Sequence, residues 1–470
     1  MTTMAAQQTA WERFRSDVQT DVLACLVDQS ARLSWTRAQV QAVQREGLRA
    51  LLAHAVEHSP FHRDRLAGLD PTGFELADLA NLPVMTKADM MTGFDCVVTD
   101  RRLSLSLVEA ALAATNQEPV PILGRYVANA TGGSSGRRGV FVFDRRAKAN
   151  WVLSILRSLM ARLAAGGGPP PGGLTFAMVA AASAVHPTGS AAAESAGTAM
   201  PIRIVTVPVT LPWQELIDRL NKIGGHIVGG YPSVLVRLAA EQLAGNLHVR
   251  PKVIVSTSET LYPHMRDAIA SGFGVPVVDS FGCTEGLFGS SAPDAPVLTF
   301  NTDLCIAELV DADNRPVQPG RPSAKVLLTN LYNRTQPLIR YELPDVFIAE
   351  DDEAGHGLLR AKVQGRADEV LMYPGVALHP HVIRSVLVQS PEIADYQVRQ
   401  TPNGIDLDLL PVVAAGLGEP VDADAVARCL GDALRRAGLA DPDVGVRVVS
   451  KLARQPDTGK LSRFVPLAAP

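Results

Sequence analysis

Cysteine is scarce: five residues in 470 (Cys25, Cys96, Cys283, Cys305 and Cys429), an odd number scattered along the chain. No CxxC pair occurs, and no Cys/His cluster has zinc-ligand spacing. That excludes a disulfide scaffold and fits free thiols in a reducing compartment. No charge sign is in large excess. Lys+Arg number 44 and Asp+Glu 48, a net −4, which argues against a general nucleic-acid binder but says nothing about small anionic ligands. Long hydrophobic runs are missing too. The most apolar stretch, Leu174 to Val185, is Ala-rich, carries Ser and Thr, and is too short to span a bilayer. The first residues, Met1-Thr2-Thr3-Met4-Ala5-Ala6, lack the basic-then-apolar order of a secretory signal. No internal repeat is visible. The expectation is a soluble cytoplasmic protein with no membrane or nucleic-acid partner.

What is present is ordinary globular composition, 47% hydrophobic and 20% charged. At about 150 residues per domain, the length predicts roughly three units or two unequal ones. The chain to Asn81 reads as helical, with Val22, Leu23, Leu26 and Val27 on one face and Val40, Val43, Leu48, Leu51, Leu52 and Val56 on another. A strand is predicted over Gly139 to Phe143 and a helix over Trp151 to Ala165. Candidate strands (Leu174–Val179, Ile202–Val207, His226–Val228, Val253–Val255, Val275–Val278) then alternate with candidate helices (Leu211–Ile223, Ser233–Leu243, Tyr262–Ser271). Such alternation predicts an α/β layered sheet. A β-rich subdomain is expected between Val297 and Ile348, and a compact α+β unit after Gly365-Arg366-Ala367-Asp368.

Five segments can carry chemistry, and each has a bland reading beside it. Thr131-Gly132-Gly133-Ser134-Ser135-Gly136 can cradle a phosphate with backbone N–H groups and hydroxyls, or be a flexible turn; it is not a Walker A loop. Ser280-Phe281-Gly282-Cys283-Thr284-Glu285-Gly286 follows a strand, where α/β sheets bind ligands; Thr284 and Glu285 could hold a phosphate and its Mg²⁺, or form a polar turn. Arg340 to Asp345 places an acid after a turn, facing ribose hydroxyls or solvent. Gly365 to Glu369 is a hinge or a charged turn. Pro456-Asp457-Thr458-Gly459-Lys460 puts one lysine on a glycine turn.

Together and in this order, the five resemble the core motifs of the adenylate-forming superfamily: acyl- and aryl-CoA ligases, adenylation domains and luciferases. Within it the chain is most similar to the phenylacetate–CoA ligase and coenzyme F390 synthetase branch. That likeness rests on His58-Ser59-Pro60-Phe61, Leu82-Pro83-Val84-Met85-Thr86-Lys87, Thr329-Asn330-Leu331, Pro337 to Tyr341, and Tyr396 to Gln400. It runs from about His54 to Arg463 and leaves the first 50 residues uncovered. Three departures stand out. Leu343-Pro344 replaces the usual Thr-Gly before the ribose acid, and Arg138 replaces the proline that often follows the glycine-rich loop. Ser290 to Asp303 lacks the Cys and His that hold zinc in some relatives, so no zinc is expected.

The resemblance implies a large N-terminal ATP- and acid-binding domain (residues 1–366) of layered α/β sheets with a β-rich subdomain. It also implies a small mobile α+β C-terminal domain (residues 367–470) carrying the catalytic lysine. By the same likeness, Thr131, Ser134, Ser135 and Gly136 hold the ATP phosphates, Thr284 contacts the α-phosphate and Glu285 binds Mg²⁺. Asp345 binds the ribose with Arg366 assisting. Ser258-Glu259-Thr260 brackets adenine together with Ser280, Phe281 and Gly282, and Phe281 is its stacking ring. Lys460 bridges the α-phosphate and the substrate carboxylate, and Asp368 is the pivot. His186, Tyr231, Pro232, Ser256 and Cys283 lie on segments that wall the acid site, although Tyr231 reads equally as a residue packing inside. The implied partners are ATP, Mg²⁺, a small aryl or arylacetic acid, and coenzyme A; a homodimer is left open. Transfer to a carrier-protein phosphopantetheine or an amine, and a catalytically inactive nucleotide sensor or scaffold, are the competing readings.

Overall fold

The computed structural model describes residues 4–131, 138–165, 173–197, 200–351, 355–378, 380–387, 390, 392–411, 421–456 and 458–467. The chain divides into two compact units: Met1–Leu261 with Arg266–Gln364, and Tyr262–Met265 with Gly365–Pro470.

The first unit opens on helices α1 (Met4–Ala31), α2 (Arg37–His58), α3 (Pro60–Arg65), α4 (Lys87–Thr92), α5 (Phe94–Val97) and α6 (Leu105–Ala114). Thr36 starts α2 in a reciprocal capping box with Gln39, and Val40, Leu48, Leu51 and Leu52 form its buried stripe. In α1 the buried apolar residues are Trp11, Phe14, Val18 and Val22, whereas Leu23 and Val27, expected on one face with Val22, are exposed.

A hairpin follows, β1 (Tyr126–Ala130) antiparallel to β2 (Val140–Asp144), then α7 (Arg145–Ala165). The alternating region is β3 (Leu174–Ala180), α8 (Pro187–Glu194), β4 (Ile202–Pro208), α9 (Trp213–Ile223), β5 (Ile227–Gly230), α10 (Pro232–Leu243), β6 (Val253–Thr257), α11 (Pro263–Phe273) and β7 (Val277–Gly282). Neighbouring strands in the order β4-β3-β5-β6-β7 are parallel, as helical crossovers allow. The chain steps outward from β3 to β4 and returns to β5 on the other side. The topological switch point therefore lies between β3 and β5, where open α/β sheets bind ligands outside the strands' carboxyl ends.

Beyond β7 the sheet turns antiparallel through β8 (Phe288–Ser291) and β9 (Leu298–Phe300). A separate antiparallel sheet holds β10 (Cys305–Val310), β11 (Lys325–Asn330) and β12 (Tyr341–Leu343). Then β13 (Asp345–Ala349) and β14 (Arg360–Arg366) complete a nine-stranded sheet, order β13-β14-β9-β8-β7-β6-β5-β3-β4. Pro344 is the corner between the two sheets. A residue with fixed φ and no N–H suits that step and the edge strand it enters.

The Leu82–Lys87 segment packs against Arg340 of the Pro337–Tyr341 segment. The Arg340 guanidinium, nearly buried, donates to the carbonyls of Ala80 and Leu82 and pairs with Glu308. The Met85 N–H donates to the Arg340 carbonyl at 3.0 Å, and His62 Nε2 lies 3.0 Å from the Pro337 carbonyl.

The second unit holds a two-stranded ribbon, β15 (Leu371–Tyr373) and β16 (Val376–Leu378), and a four-stranded sheet. The sheet order is β19 (Asp443–Val448), β18 (Gly404–Pro411), β17 (Ile393–Thr401), β20 (Phe464–Val465). Helices α12 (Pro380–Leu387) and α13 (Ala423–Arg436) join Val398, Leu407, Leu409, Leu430 and Leu434 in one core. The strand β14 passes from the first unit into the second at Gly365, whose φ of +134° only glycine adopts without strain.

Candidate active site

The register of the parallel strands brings distant motifs to one end of the sheet. Gly230 lies opposite Ser256, Ser256 opposite Asp279, and Thr257 opposite Ser280. Tyr231 and Ser258 therefore leave adjacent strands near Phe281, which is still part of β7. Ser258, at φ +68°, turns the chain sharply out of β6. Glu259 then accepts the Ser233 N–H at 3.3 Å, a carboxylate set on the first turn of α10.

Tyr231 is wholly buried among Val179, Val228 and Leu235, and its hydroxyl accepts the Ala181 N–H at 3.2 Å. It braces β5 against β3 from inside the core, which corrects its expected place on the acid wall. Pro232 and Ser256 are buried with it, because the strand end is sealed by the first turn of α10. Of the five acid-site residues, only His186 and Cys283 remain half-buried.

The strand β7 runs through Ser280, Phe281 and Gly282, further than the apolar run alone predicts, so the turn begins at Cys283. The Cys283 N–H donates to Leu287 and the Gly286 N–H returns to Cys283, both at 3.1 Å. Asn330 Nδ2 donates to the Glu285 carbonyl at 2.8 Å, and Asn301 Nδ2 to the Gly286 carbonyl at 3.1 Å. Tyr332 Oη adds a bond to Gly286 at 3.3 Å. Thr284 and Glu285, both nearly buried, are thus presented by a turn tied to β11 and its following loop. Burial pushes the Cys283 thiol well up, and the charges of Glu285 and Asp345 push the same way. The two acids from separate motifs therefore share one electrostatic neighbourhood.

Asp345 is a buried acid at the first residue of β13, which corrects the solvated-loop reading. Two residues on, Phe347 packs edge-on against the half-buried Phe281 at 5.2 Å, with Phe300 behind at 5.8 Å. Sequence reasoning missed Asp279. Half-buried at the same sheet end, its carboxyl is pushed up to about 6 by burial, against the pull of Arg266. The available signal was an acid interrupting an apolar strand.

The glycine-rich segment joins antiparallel β1 and β2. Thr131 closes its root, donating its N–H to the Gly139 carbonyl at 2.9 Å and accepting the Gly139 N–H on Oγ1 at 2.8 Å. Ser134, Ser135 and Gly136 lie outside the described residues. His186, at the start of α8, sets Nδ1 3.3 Å from the Ala130 carbonyl, so the turn after β3 and the hairpin root adjoin at the switch point. Thr260, half-buried, completes the segment after β6.

Arg366, Asp368 and Lys460 belong to the second unit. Lys460 stands on a turn in which Gly459, at φ +66°, donates to Gln455, and the Lys460 N–H reaches Thr458 Oγ1 at 3.2 Å. Gln397 pins both flanks of that turn, donating to the carbonyls of Ala453 at 3.1 Å and Ser462 at 2.9 Å.

No family model matches the chain. Two curated relatives are phenylacetate–coenzyme A ligases: that of Thermus thermophilus, 23% identical over 77% of this chain and 78% of its own, and that of Escherichia coli, 25% identical over 80% and 82%. Among solved structures, a 2-hydroxyisobutyryl-CoA ligase in its postadenylation state superposes with a TM-score of 0.68 at 19% identity, covering 93% of this chain and 91% of that one. An anthranilate CoA ligase bound to anthranoyl-AMP superposes with a TM-score of 0.51 over 72% of this chain, at 17% identity. Over about four fifths of its length the chain is similar to the phenylacetate–CoA ligase-like branch of the adenylate-forming superfamily, and it shares that superfamily's fold.

Proposed function

We propose that the protein activates a small carboxylic acid with ATP and passes the acyl group to the thiol of coenzyme A. In the first step a carboxylate oxygen bonds to the α-phosphorus as the bond to pyrophosphate breaks. In the second the thiol sulfur bonds to the acyl carbonyl carbon, AMP leaves with the bonding electrons, and the thiol proton passes to solvent. The single observation that carries this reading is the register that sets the Ser258 turn beside the end of β7, where Thr284 and Glu285 follow, nearly buried, on a hydrogen-bonded turn.

The first step has to bring two anions together, so oriented donors and cations supply the stabilisation. Thr131 anchors the loop that meets the phosphates, and Thr284 donates to the α-phosphate. Asp345 accepts from the ribose hydroxyls, and Arg366 assists it. Lys460 brings its cation to the carboxylate and α-phosphate, and Asp368 is the pivot of the C-terminal domain. Among the described residues no group of three or more His, Cys, Asp and Glu is placed to hold a metal. The Glu285 carboxylate nevertheless fits Mg²⁺, which takes one or two carboxylates together with phosphate oxygens. When bound, it neutralises phosphate charge.

The half-buried Cys283 and His186, on segments that follow β7 and β3, border the acid. The acid is aryl or arylacetic, in line with the curated relatives' printed substrate. The test is pyrophosphate release with ATP across a panel of phenylacetate, benzoate, anthranilate and a short aliphatic acid, followed by thioester detection with coenzyme A. An aromatic acid should lead. Adenylate formation with no thioester would move the acceptor to a carrier-protein thiol or an amine, and no pyrophosphate release would leave a nucleotide-binding role.

A further inference from the structure

One buried ion pair lies outside all five motifs. Lys148 on α7 and Glu194 at the end of α8 are sealed from solvent, with Nζ 2.8 Å from Oε1. The lysine also donates to Asn129 Oδ1 at 2.8 Å and Ser190 Oγ at 3.2 Å, so its three protons all have acceptors. The indole of Trp151 lies 4.1 Å beneath it. A pair this deep is costly to desolvate, and an apolar replacement is often as stable. Holding one arrangement of neighbouring elements is a better account of it than stability.

Asn129 shows which arrangement. Its Nδ2 donates to the Ala184 carbonyl at 3.0 Å, in the turn that leads from β3 to His186. Its neighbour Ala130 donates to the Val185 carbonyl at 2.9 Å and turns its own carbonyl to His186 Nδ1. The next residue is Thr131, which closes the glycine-rich loop. A hydrogen bond from the ion pair to Asn129 and two chain links, Asn129 to Ala130 and Ala130 to Thr131, thus join it to the loop root.

We propose that Lys148, Glu194 and Asn129 are positioning residues, which fix the root of the glycine-rich hairpin, Thr131 and Gly139, against the His186 turn and so serve adenylation. This rests on the adenylation reading above. It assigns the trio to the first half-reaction only, since the thiol attack needs no pyrophosphate-holding loop.

The test separates the half-reactions in the full-length protein, using the acid that leads the panel. Asn129→Ala leaves the ion pair and cuts its link to the loop. Lys148→Met combined with Glu194→Gln removes the pair without stranding a buried charge. Both should lower kcat/KM for ATP in acid-dependent ATP–pyrophosphate exchange about tenfold or more, with a raised KM for ATP. Thioester formation from the synthetic acyl-adenylate and coenzyme A should stay within about twofold. A general loss of fold would lower both reactions together. If Asn129→Ala changes neither, or lowers both equally, the proposal fails. Wild-type protein without acid-dependent exchange would instead refute the adenylation reading, and this proposal with it.

Discussion

Replacing Gly286 with alanine tests whether the turn after β7 sets the chemistry of Thr284 and Glu285. The glycine sits at φ +111°, and a Cβ there would come within 2.4 Å of both Asn330 Nδ2 and Tyr332 Oη. These are the groups that hold the Glu285 and Gly286 carbonyls. The backbone conformation alone costs a non-glycine residue about 1–2 kcal/mol. Displacing Asn330 and Tyr332 leaves buried polar groups unpaired, about 1–3 kcal/mol more. The sum, about 2–5 kcal/mol, exceeds what the turn can absorb without moving. A misplacement near 1 Å at reacting groups costs about 10²-fold in rate, so acid-dependent ATP–pyrophosphate exchange should fall by about that factor, together with a lower thermal midpoint. Gly245→Ala is the control: φ there is +76° and nothing lies within 4 Å, so only backbone strain remains. It should cost about 1 kcal/mol and spare exchange. Wild-type exchange in Gly286→Ala, or equal losses in the two variants, would refute the reasoning.

Three further outcomes are expected. Lys460→Ala should lower acid-dependent exchange by about 10²-fold or more while ATP binding measured by calorimetry stays close to wild type; undiminished exchange removes the lysine from the mechanism. Asp345→Ala should weaken ATP binding by about 10–100-fold, the cost of a lost hydrogen bond to a charged group; unchanged affinity counts against the ribose assignment. His62 is held down to about 4 by burial, with a hydrogen bond to Pro337 pulling the other way. An unfolded histidine takes its proton near pH 6.5, so as pH falls from about 6.5 to 4 the unfolded chain binds a proton that the folded one refuses. Stability contributed by the neutral ring is therefore present above that window and lost through it, by about 3 kcal/mol at most. Urea midpoints for wild type and His62→Gln, measured across that range, should converge at the acid end; parallel curves would show that the ring does not titrate in this way.

Much of this protein is written locally. Apolar runs flanked by turn residues locate β3, β4, β5, β6 and β7 to within a few residues, and helical spacing locates α9, α10 and α11. The motif order alone points to the superfamily and its branch, because each motif is a short stretch whose chemistry is contained in itself. Register, burial and partnership are different in kind. Asp345 reads as a loop acid, yet Pro344 turns the chain from one sheet into the edge of another and buries it. Tyr231 and Ser256 read equally as pocket or core until the pairing of β3, β5 and β6 seals them. Lys148 and Glu194, on separate helices, look like two solvated charges until α7 and α8 pack them together against Asn129. Propensity and turn chemistry act over a handful of neighbouring residues and can be read along the chain. Which strand ends adjoin, and which charges lose their water, depends on crossovers spanning tens of residues, and only the assembled sheet and its helices decide that.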